Sequence, residues 1–312
     1  MSVGFLPFHR IGNNAFPVGR FFNDAHNLIA AADHGISWDW LLQSLGLRSY
    51  AFHALTESDP QQFPAHTCHE TIRSFRCDIG DDPAEYLRNL GSRHKTVGRQ
   101  GQKTRKMARE VGPVHLELDC RSMDAFDQNF RWKRQQYART NILDLFRLDW
   151  TLRLMRELFE TPPSALGDSA LNVQCEGNAR GILSVLRAGD RIVASHFGIL
   201  EGGLLHYWFP AYDPNYAKYS PGTGLFCSIL SAAGQHGIRC VDMGYGEQPY
   251  KLKQTDSTGF VTKGCIARSV AYRRLRKIET KMIKVAKRLP NKEAVKRVCR
   301  SIWPSAGISK LN

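Results

Sequence analysis

The chain has 312 residues, of which 42% are apolar and 23% charged, and its formal net charge is +14. This length predicts about two domains with a sizeable core, and the composition excludes a collagen-like or low-complexity protein. No apolar run approaches the roughly 18 residues of a membrane span, and residues 1–10 do not form a secretory signal, so the sequence predicts a cytoplasmic protein.

The first 113 residues are predicted to form an α/β fragment. Its predicted elements are a strand over residues 3–8, a helix over 38–45, a strand over 51–55 and a helix from Pro83 to the break at Gly112. Asp82 precedes Pro83, and this pair favours a helix start because acidic side chains and proline suit a first turn.

Metal binding is not predicted. The eight cysteines include no Cys-x-x-Cys pair, which argues against both a disulfide scaffold and a structural zinc site. His66, Cys68 and His69 are the densest group of ligand-type residues, but Arg73 stands where a zinc-binding helix would need a second histidine. This group is therefore predicted to lie in a loop.

Residues 114–267 are predicted to form one compact α/β domain. Its predicted elements are a strand over 114–118, two helices carrying Phe126 and Leu152, a three-strand meander over 182–187, 192–200 and 204–211, a helix over 223–233, a strand over 238–243 and a strand over 260–267.

A phosphate-binding turn is predicted inside this domain. The Gly-rich residues 218–224 lie between a strand and a helix, and the polar loop 244–251 follows the next strand. The first amides of a helix have no intrahelical partner and lie at the positive end of its dipole, which suits a phosphorylated cofactor. Polar residues after a strand of this kind usually face a ligand.

Five segments together carry a family resemblance, although each alone is a weak signal. They are residues 130–137 (FRWKRQQY), 184–197 (SVLRAGDRIVASHF), 206–213 (HYWFPAYD), 219–222 (YSPG) and 242–251 (DMGYGEQPYK). The set resembles the GNAT acyltransferase superfamily, in particular its cellulose-biosynthesis acetyltransferase-like branch, and more distantly the Fem-type peptidyl transferases.

The resemblance implies a domain organisation. A GNAT-like mixed-sheet domain is expected over residues 114–267, preceded by an incomplete, degenerate GNAT-like half over 1–113 and followed by a basic helical tail over 268–312. Members of the family generally carry several dozen more residues at the amino end. The expectation is that either the native start lies upstream of Met1 or this half is dispensable.

The resemblance also implies acetyl-CoA or another acyl-CoA as donor, without a metal. Its pyrophosphate would lie on the turn at Ser220, against the amides of Gly222, Thr223 and Gly224. Its pantetheine arm would lie between two diverging strands. The superfamily turn commonly carries Arg or Gln where this chain has Tyr219, and the neighbouring Lys218 is the predicted substitute.

Acyl transfer also needs a donor to the thioester carbonyl and an acid for the leaving thiolate. A main-chain amide between Phe209 and Tyr212 is the predicted carbonyl donor, because the superfamily uses main chain there. Tyr250 or Tyr245 is the predicted acid, and the alternative for each is an ordinary packed aromatic.

Three residues are candidate bases: His196, Asp242 and Glu247. His196 lies within an apolar strand, where histidine is more often a core residue. Asp242 has the alternative of capping its own loop through the backbone. We predict a catalytic role because polar residues converge where the strand over residues 238–243 becomes the loop 244–251.

The acceptor is expected to bind near the first of the two helices. Its candidate contacts are Trp132, Lys133, Gln136 and Tyr137, with Lys251 from the polar loop. The alternatives are a surface helix with a half-buried aromatic and, for Lys251, a solvated charge.

Two segments concentrate the positive charge. Residues 268–300 hold thirteen Lys or Arg against two Glu, and residues 88–109 hold eight with no acid. The first predicts a basic amphipathic helix that lies on an anionic membrane surface, or alternatively packs on the parent domain. The second, which includes Lys95, Arg99, Lys103 and Lys106, suits a phosphate group, although charge runs are most often solvated.

The sequence therefore predicts a cytoplasmic acyl-CoA-dependent acyltransferase, peripheral on the inner face of the cell membrane. Its predicted acceptor is an amino or hydroxyl group of a saccharide or lipid-linked saccharide in surface-polysaccharide biosynthesis. One alternative is Fem-like aminoacyl transfer from tRNA, which the scarcity of aromatic residues in both basic segments disfavours. The other is a non-catalytic accessory protein of a polysaccharide-synthase complex.

Overall fold

A computed structural model describes residues 4–19, 22–31, 35–56, 68–161 and 179–272, together with 274 and 278. The contacts divide the chain into two compact units. One unit comprises residues 1–72 and 260–312, and the other comprises residues 73–259. His66 and nearly all of the predicted tail lie outside the described residues, so the predicted amphipathic helix stays a prediction.

The strands are β1 Gly4–Phe5, β2 Phe8–Ile11, β3 Asn14–Pro17, β4 Ile29–Ala30, β5 Ser49–Thr56, β6 Cys68–Asp78, β7 Val114–Glu117, β8 Arg180–Ala188, β9 Arg191–Glu201, β10 Leu204–Tyr212, β11 Cys240–Tyr245 and β12 Ser257–Ala267. The helices are α1 Trp38–Ser44, α2 Pro83–Arg93, α3 Lys95–Gly98, α4 Gln100–Glu110, α5 Met123–Thr140, α6 Asp149–Glu160, α7 Pro221–Ala232 and α8 Pro249–Leu252.

The first unit is a small sheet covered by one helix. β2 pairs with β3 and β5 with β12 in antiparallel fashion, whereas β3 and β5 are parallel. Ser37 caps the amino end of α1, where its side chain accepts a hydrogen bond from the amide of Trp40. Trp38 and Leu42 are one turn apart on α1, and both are buried against Tyr50 of β5.

The second unit is a mixed sheet in the order β6-β11-β10-β9-β8-β7. Only β10 and β11 are parallel here, because helix α7 connects them and returns the chain to the same edge. α7 is buried on one face of the sheet through Leu225, Phe226 and Ile229. Side chains alternate along β9, so Ser195 and Phe197 face α5 and His196 between them faces α7.

Three sequence predictions differ from the structure. The predicted helix from Pro83 is three helices, because His94 between α2 and α3 has an extended backbone. Gly91 and Gly98 lie where α2 meets α3, and a Cβ on Gly98 would come within 2.6 Å of the Gly91 carbonyl oxygen. The strand predicted over residues 3–8 is interrupted. Cys68, predicted to lie in a loop, begins the long strand β6.

The predicted domain boundary at residue 113 does not coincide with the division between the two units. Helices α2, α3 and α4, which precede that boundary, pack against α7 in the second unit. The division into residues 1–113, 114–267 and 268–312 stays a prediction.

Candidate functional site: an open wedge beside a helix amino terminus

Strands β10 and β11 separate to form a wedge. Their pairing covers only Leu204–His206 against Cys240–Asp242. Beyond this point β10 stays paired with β9 as far as Tyr212, while β11 stays paired with β6 as far as Tyr245. Beyond His206 and Asp242, β10 is therefore paired only with β9 and β11 only with β6, and the two strands no longer pair with each other.

Main-chain groups of β10 face this wedge. The amide of Asp213 bonds to the carbonyl of Val193 on β9, and bonded positions alternate along an antiparallel pair. Tyr212 and Pro210 therefore direct their main-chain polar groups away from β9, towards the wedge. Pro210 has no N–H, so Tyr212 is the amide here that could bind a carbonyl oxygen, whereas the amide of Phe209 faces β9.

The amino end of α7 lies at the mouth of the wedge. Ser220 precedes the helix in the left-handed conformation, with φ of 52°, and its side chain does not cap the helix. Pro221 in the first helical position lacks an N–H. No described residue accepts a hydrogen bond from the amide of Gly222 or Thr223. These two amides could bind an anion at the positive end of the helix.

Gly224 has a structural role instead. Its amide donates to the carbonyl of Ser220, 3.0 Å away, so this amide is not free as predicted. A Cβ at this position would lie 3.0 Å from Nε2 of Gln100 and 3.4 Å from Leu186. The missing side chain lets α4 approach α7. At Gly222 a Cβ would meet only Tyr212, at 3.6 Å, so Gly222 faces open space.

The residues before the helix face α4. Tyr219 is buried, and its hydroxyl donates to Oε2 of Glu110 at 2.5 Å. Nζ of Lys218 lies 2.9 Å from the same oxygen atom. The hydrogen bonds from Tyr219 and Lys218 lower the pKa of Glu110 to about 2, and the hydrogen bonds of Lys218 with Tyr219 and Glu110 raise the pKa of Lys218 to about 12. Lys218 thus contacts a carboxylate and does not line the wedge.

The basic segment contacts the turn through α4. Nζ of Lys103 donates to Oγ of Ser220 at 2.7 Å, and the side-chain amide of Gln100 donates to the carbonyl of Tyr219 at 3.2 Å. Five further basic residues of this segment are exposed and have no acidic partner among the described residues: Arg88, Lys95, Arg99, Arg105 and Arg109. The segment is therefore a cationic surface next to the free amides.

A cavity of about 530 Å³ connects these features. The predicted site residues that line it are Lys133, Gln136, Tyr212, Ser220, Gly222, Thr223 and Tyr250. The cavity thus joins the amino end of α7 to α5 and α8 across strand β10, and a phosphorylated donor and an acceptor could meet in it. A larger cavity, of about 620 Å³, lies between α5 and α6 and holds none of the predicted site residues.

Two buried lysines lie on the two sides of the wedge. Lys133 of α5 is 8% exposed, and its Nζ donates to the carbonyl of Pro210 on β10 at 3.0 Å. Lys251 of α8 is 3% exposed, and its Nζ donates to the carbonyls of Gly244 and Tyr245 on β11. Lys251 is therefore not a solvated charge but a buried contact at the end of β11, outside the cavity.

Two of the candidate bases point away from the cavity. Oδ1 of Asp242 accepts a hydrogen bond of 2.7 Å from the amide of Gly244, at an irregularity in the pairing of β11 with β6. The side chain caps its own loop, which was the alternative to catalysis. Glu247 is exposed and lies 3.3 Å from Arg73. Neither carboxylate is among the described residues that line the cavity, so the structure does not bring them to the wedge, and their catalytic role stays a prediction.

His196 is a core residue. Its side chain is fully buried, and its ring stacks on Tyr207 with a centroid distance of 4.1 Å. Burial lowers the pKa of His196 to about 3, so the imidazole is neutral at physiological pH. Tyr207 lines the cavity and separates His196 from it. The predicted catalytic histidine therefore has no direct access to a substrate.

Three other predicted residues pack outside the cavity. Phe209 belongs to an aromatic cluster with Phe130 and Phe146. The ring of Tyr137 stacks on Phe146 and lies 5.5 Å below Nζ of Lys133. Trp132 is buried and lines only a small neighbouring pocket. The packing of these residues holds α5 in position, outside the cavity.

Four lining residues with polar side chains were not predicted as site residues: Thr96, Tyr207, Lys253 and Gln254. Gln254 is buried, and its side-chain amide donates to the hydroxyl of Thr223 at 2.8 Å, which fixes the first turn of α7. The only available signal was its position three residues after Lys251, just beyond the polar loop.

No cluster of three or more His, Cys, Asp or Glu residues that could hold a metal ion occurs in the described part of the chain. Likewise, none of the helices described is both long and apolar enough to cross a bilayer.

Comparison with protein families gives a match to the Acetyltransferase (GNAT) domain over residues 94–252, which is more than half of the chain. The chain belongs to the GNAT acetyltransferase family. The predicted GNAT fold and the acyltransferase class are thereby confirmed. The wedge of this GNAT protein and the amino end of its α7 both lie within the matched residues.

One solved structure supports this fold at low sequence identity, and a second is a similar chain with a lower TM-score. The C-terminal domain (DUF2156) of a putative lysylphosphatidylglycerol synthetase from Agrobacterium fabrum is 13% identical, with a TM-score of 0.52, covering 90% of this chain and 85% of that one. The crystal structure of FemX is 10% identical, with a TM-score of 0.48, covering 83% and 82% of the two chains. A search of curated protein sequences gives no match.

Proposed function

We propose that this GNAT protein transfers an acyl group from acetyl-CoA or another acyl-CoA to an amino or hydroxyl group of a saccharide or lipid-linked saccharide in surface-polysaccharide biosynthesis. The observation that carries the proposal is the wedge between β10 and β11 with the amides of Gly222 and Thr223 at its mouth. These amides and the Lys103 ammonium group would hold the donor's phosphates.

The open part of the wedge also offers groups that suit acyl transfer. The amide of Tyr212 would bind the thioester carbonyl oxygen and stabilise the negative charge that develops there. The hydroxyl of Tyr250, which lines the same cavity, would protonate the leaving thiolate. These two groups come from β10 and α8, on opposite sides of the wedge.

A saccharide acceptor suits the remaining surface of the cavity. Tyr212 and Tyr250 are 37% and 36% exposed, so each offers part of a ring face to a ligand. Gln136 and Lys133 of α5 add hydrogen-bond donors beside them. Apolar faces with a few convergent polar groups are the usual surface of a small-molecule site.

Calorimetric titration with acetyl-CoA, together with thermal unfolding, tests the donor. At a free concentration of 100 times the dissociation constant, acetyl-CoA should stabilise the fold by about 2.7 kcal/mol. Tyr250→Phe should keep this affinity and lose acetylation of the acceptor, identified by screening amino sugars, nucleotide sugars and lipid-linked saccharides. Absence of binding by any short acyl-CoA would refute the proposal.

A second candidate function is aminoacyl transfer from tRNA. The exposed basic residues of 88–109 favour it, because they form a cationic surface next to the candidate site. Filter binding with aminoacylated tRNA at about 0.15 M salt tests this candidate. Tight tRNA binding together with no acyl-CoA binding would replace the first function by the second, and absence of both ligands would favour the accessory protein.

A further inference from the structure

The cavity lacks a conventional base. An acceptor amine or hydroxyl must lose a proton during acyl transfer, and carboxylates or histidines commonly remove it. None of the described residues that line the cavity is Asp, Glu or His. Its titratable side chains are the lysines Lys133 and Lys253 and the tyrosines Tyr207, Tyr212 and Tyr250.

Lys133 stands apart from Lys253 because it is buried. Its Nζ bonds to the carbonyl of Pro210, at the point where β10 has already left β11. It lies on the face of α5 that also presents Gln136 to the cavity. The amine is therefore next to the part of the wedge where the acyl group of the proposed donor would lie.

The surroundings of Lys133 disfavour its positive charge. Lys251 approaches from α8 with a second charge, His196 from β9 is neutral, and Tyr207 from β10 carries no charge. Against these, the Pro210 carbonyl and the Tyr137 ring, 5.5 Å from Nζ, favour the cation. Among the described residues, no carboxylate forms a salt bridge with Lys133. Burial and the charge of Lys251 together lower the pKa of Lys133 to about 8.

We propose that Lys133 is the base that removes a proton from the acceptor's amino or hydroxyl group. This inference rests on the proposed acyl transfer. The neutral amine donates one N–H to Pro210 and uses its lone pair to take the acceptor's proton. The acceptor atom then bonds to the thioester carbon, the C–S bond breaks, and the thiolate is protonated by Tyr250. Lys133 returns its proton to the Tyr250 phenolate through the cavity, so both residues recover their starting states.

A direct titration of the lysines tests this role without an identified acceptor. The protein is labelled with 13C at lysine Cε, and the Cε signals are followed from about pH 6.5 to 11, with and without acetyl-CoA. We expect one signal to titrate near pH 8 in the free protein, to be absent in Lys133→Met and to persist in Lys106→Met. Lys106 is the control because it is an exposed lysine outside the cavity.

Kinetics provide the second readout. Release of CoA from acetyl-CoA, with water or an acceptor from the screen, is followed by chromatography as a function of pH. The wild-type rate should rise as Lys133 loses its proton, reach half its maximum near pH 8 and level off about one pH unit higher. Lys133→Arg keeps a cation that cannot act as a base, so it should lower kcat by roughly a hundredfold or more and abolish this rise. Its acetyl-CoA affinity should change less than about twofold.

Two results would overturn the inference while leaving the acyltransferase intact. One is a Lys133 signal that titrates near 10.4, the ordinary value for lysine. The other is a Lys133→Arg variant with the wild-type rate and pH profile. A protein that binds no acyl-CoA would instead refute the proposed function, and the inference with it.

Discussion

Lys103 and Ser220 are hydrogen-bonded to each other, with 2.7 Å between Nζ and Oγ. This contact places one ammonium group of the basic segment beside the two free amides of α7. Three positive features, two amides and one lysine, therefore meet at the mouth of the wedge. A diphosphate is the ligand that this combination favours.

Lys103→Ala should weaken acetyl-CoA binding by about ten- to a hundredfold, since a hydrogen bond to a charged group contributes about 1.5–3 kcal/mol. The dependence of affinity on salt should also decrease. Calorimetry at two salt concentrations measures both effects. Lys106→Ala is the matched control, because Lys106 is exposed on the same helix but lies 3.8 Å from Glu110. Equal losses in the two variants would mean that only the overall charge matters.

Lys218→Ala should change acetyl-CoA affinity less than about twofold. Lys218 is next to the turn in sequence, but its ammonium group is held by Glu110. The same calorimetric titration gives the answer. A loss as large as that of Lys103→Ala would restore Lys218 to the role first predicted for it.

Gly222 and Gly224 should respond differently to alanine. Gly222→Ala adds a methyl group that makes an ordinary contact with Tyr212, so the free energy of unfolding should stay the same or rise by up to about 1 kcal/mol. Acetyl-CoA affinity should fall about tenfold because the methyl group occupies the cavity. Gly224→Ala should instead lower the free energy of unfolding by about 1–3 kcal/mol, through crowding against Gln100. Urea unfolding and calorimetry separate the two effects, and identical behaviour would contradict the assignment.

His196 should make the fold sensitive to acid. Its pKa is about 3 in the folded protein, against 6.5 for an unperturbed histidine. Between these values only the unfolded chain binds the proton, so stability falls as the pH decreases from about 6.5, by about 1.4 kcal/mol per pH unit. His196→Phe should remove this contribution between pH 6 and 4 in urea unfolding. Phe197→Leu, at the neighbouring buried position, should lower stability equally at all pH values.

The elements around the wedge were predictable from sequence because their signals are local. The alternating apolar residues of β10, the Gly-rich turn and the apolar face of α7 all lie within residues 204–232. Strand β6 was not predicted because most of its residues are polar, such as Arg73 and Arg76. Only Phe75 and Cys77 show the alternation of buried apolar residues that is typical of a strand. A pattern of two buried residues is too short to distinguish from chance.

The direction of individual side chains was not predictable. Asp242 points to its own loop because the pairing of β11 with β6 shifts between Asp242 and Gly244, and a sequence pattern does not show such a shift. Thr96 joins the cavity only because α3 packs against α7, across more than a hundred residues of sequence. Lys133 was recognised as a contact residue, but its burial depends on the whole of α5 lying over β10.

The proposed phosphate site consists of main-chain amides at residues 222 and 223, and this has a consequence for the choice of donor. Peptide amides recognise the shape and charge of a diphosphate, and every acyl-CoA carries the same diphosphate group. This end of the wedge therefore cannot distinguish a short acyl chain from a long one. For the proposed donor, selectivity for chain length would have to arise elsewhere in the cavity, where the ring of Tyr207 forms part of the lining. Engineering a different donor preference should begin with Tyr207.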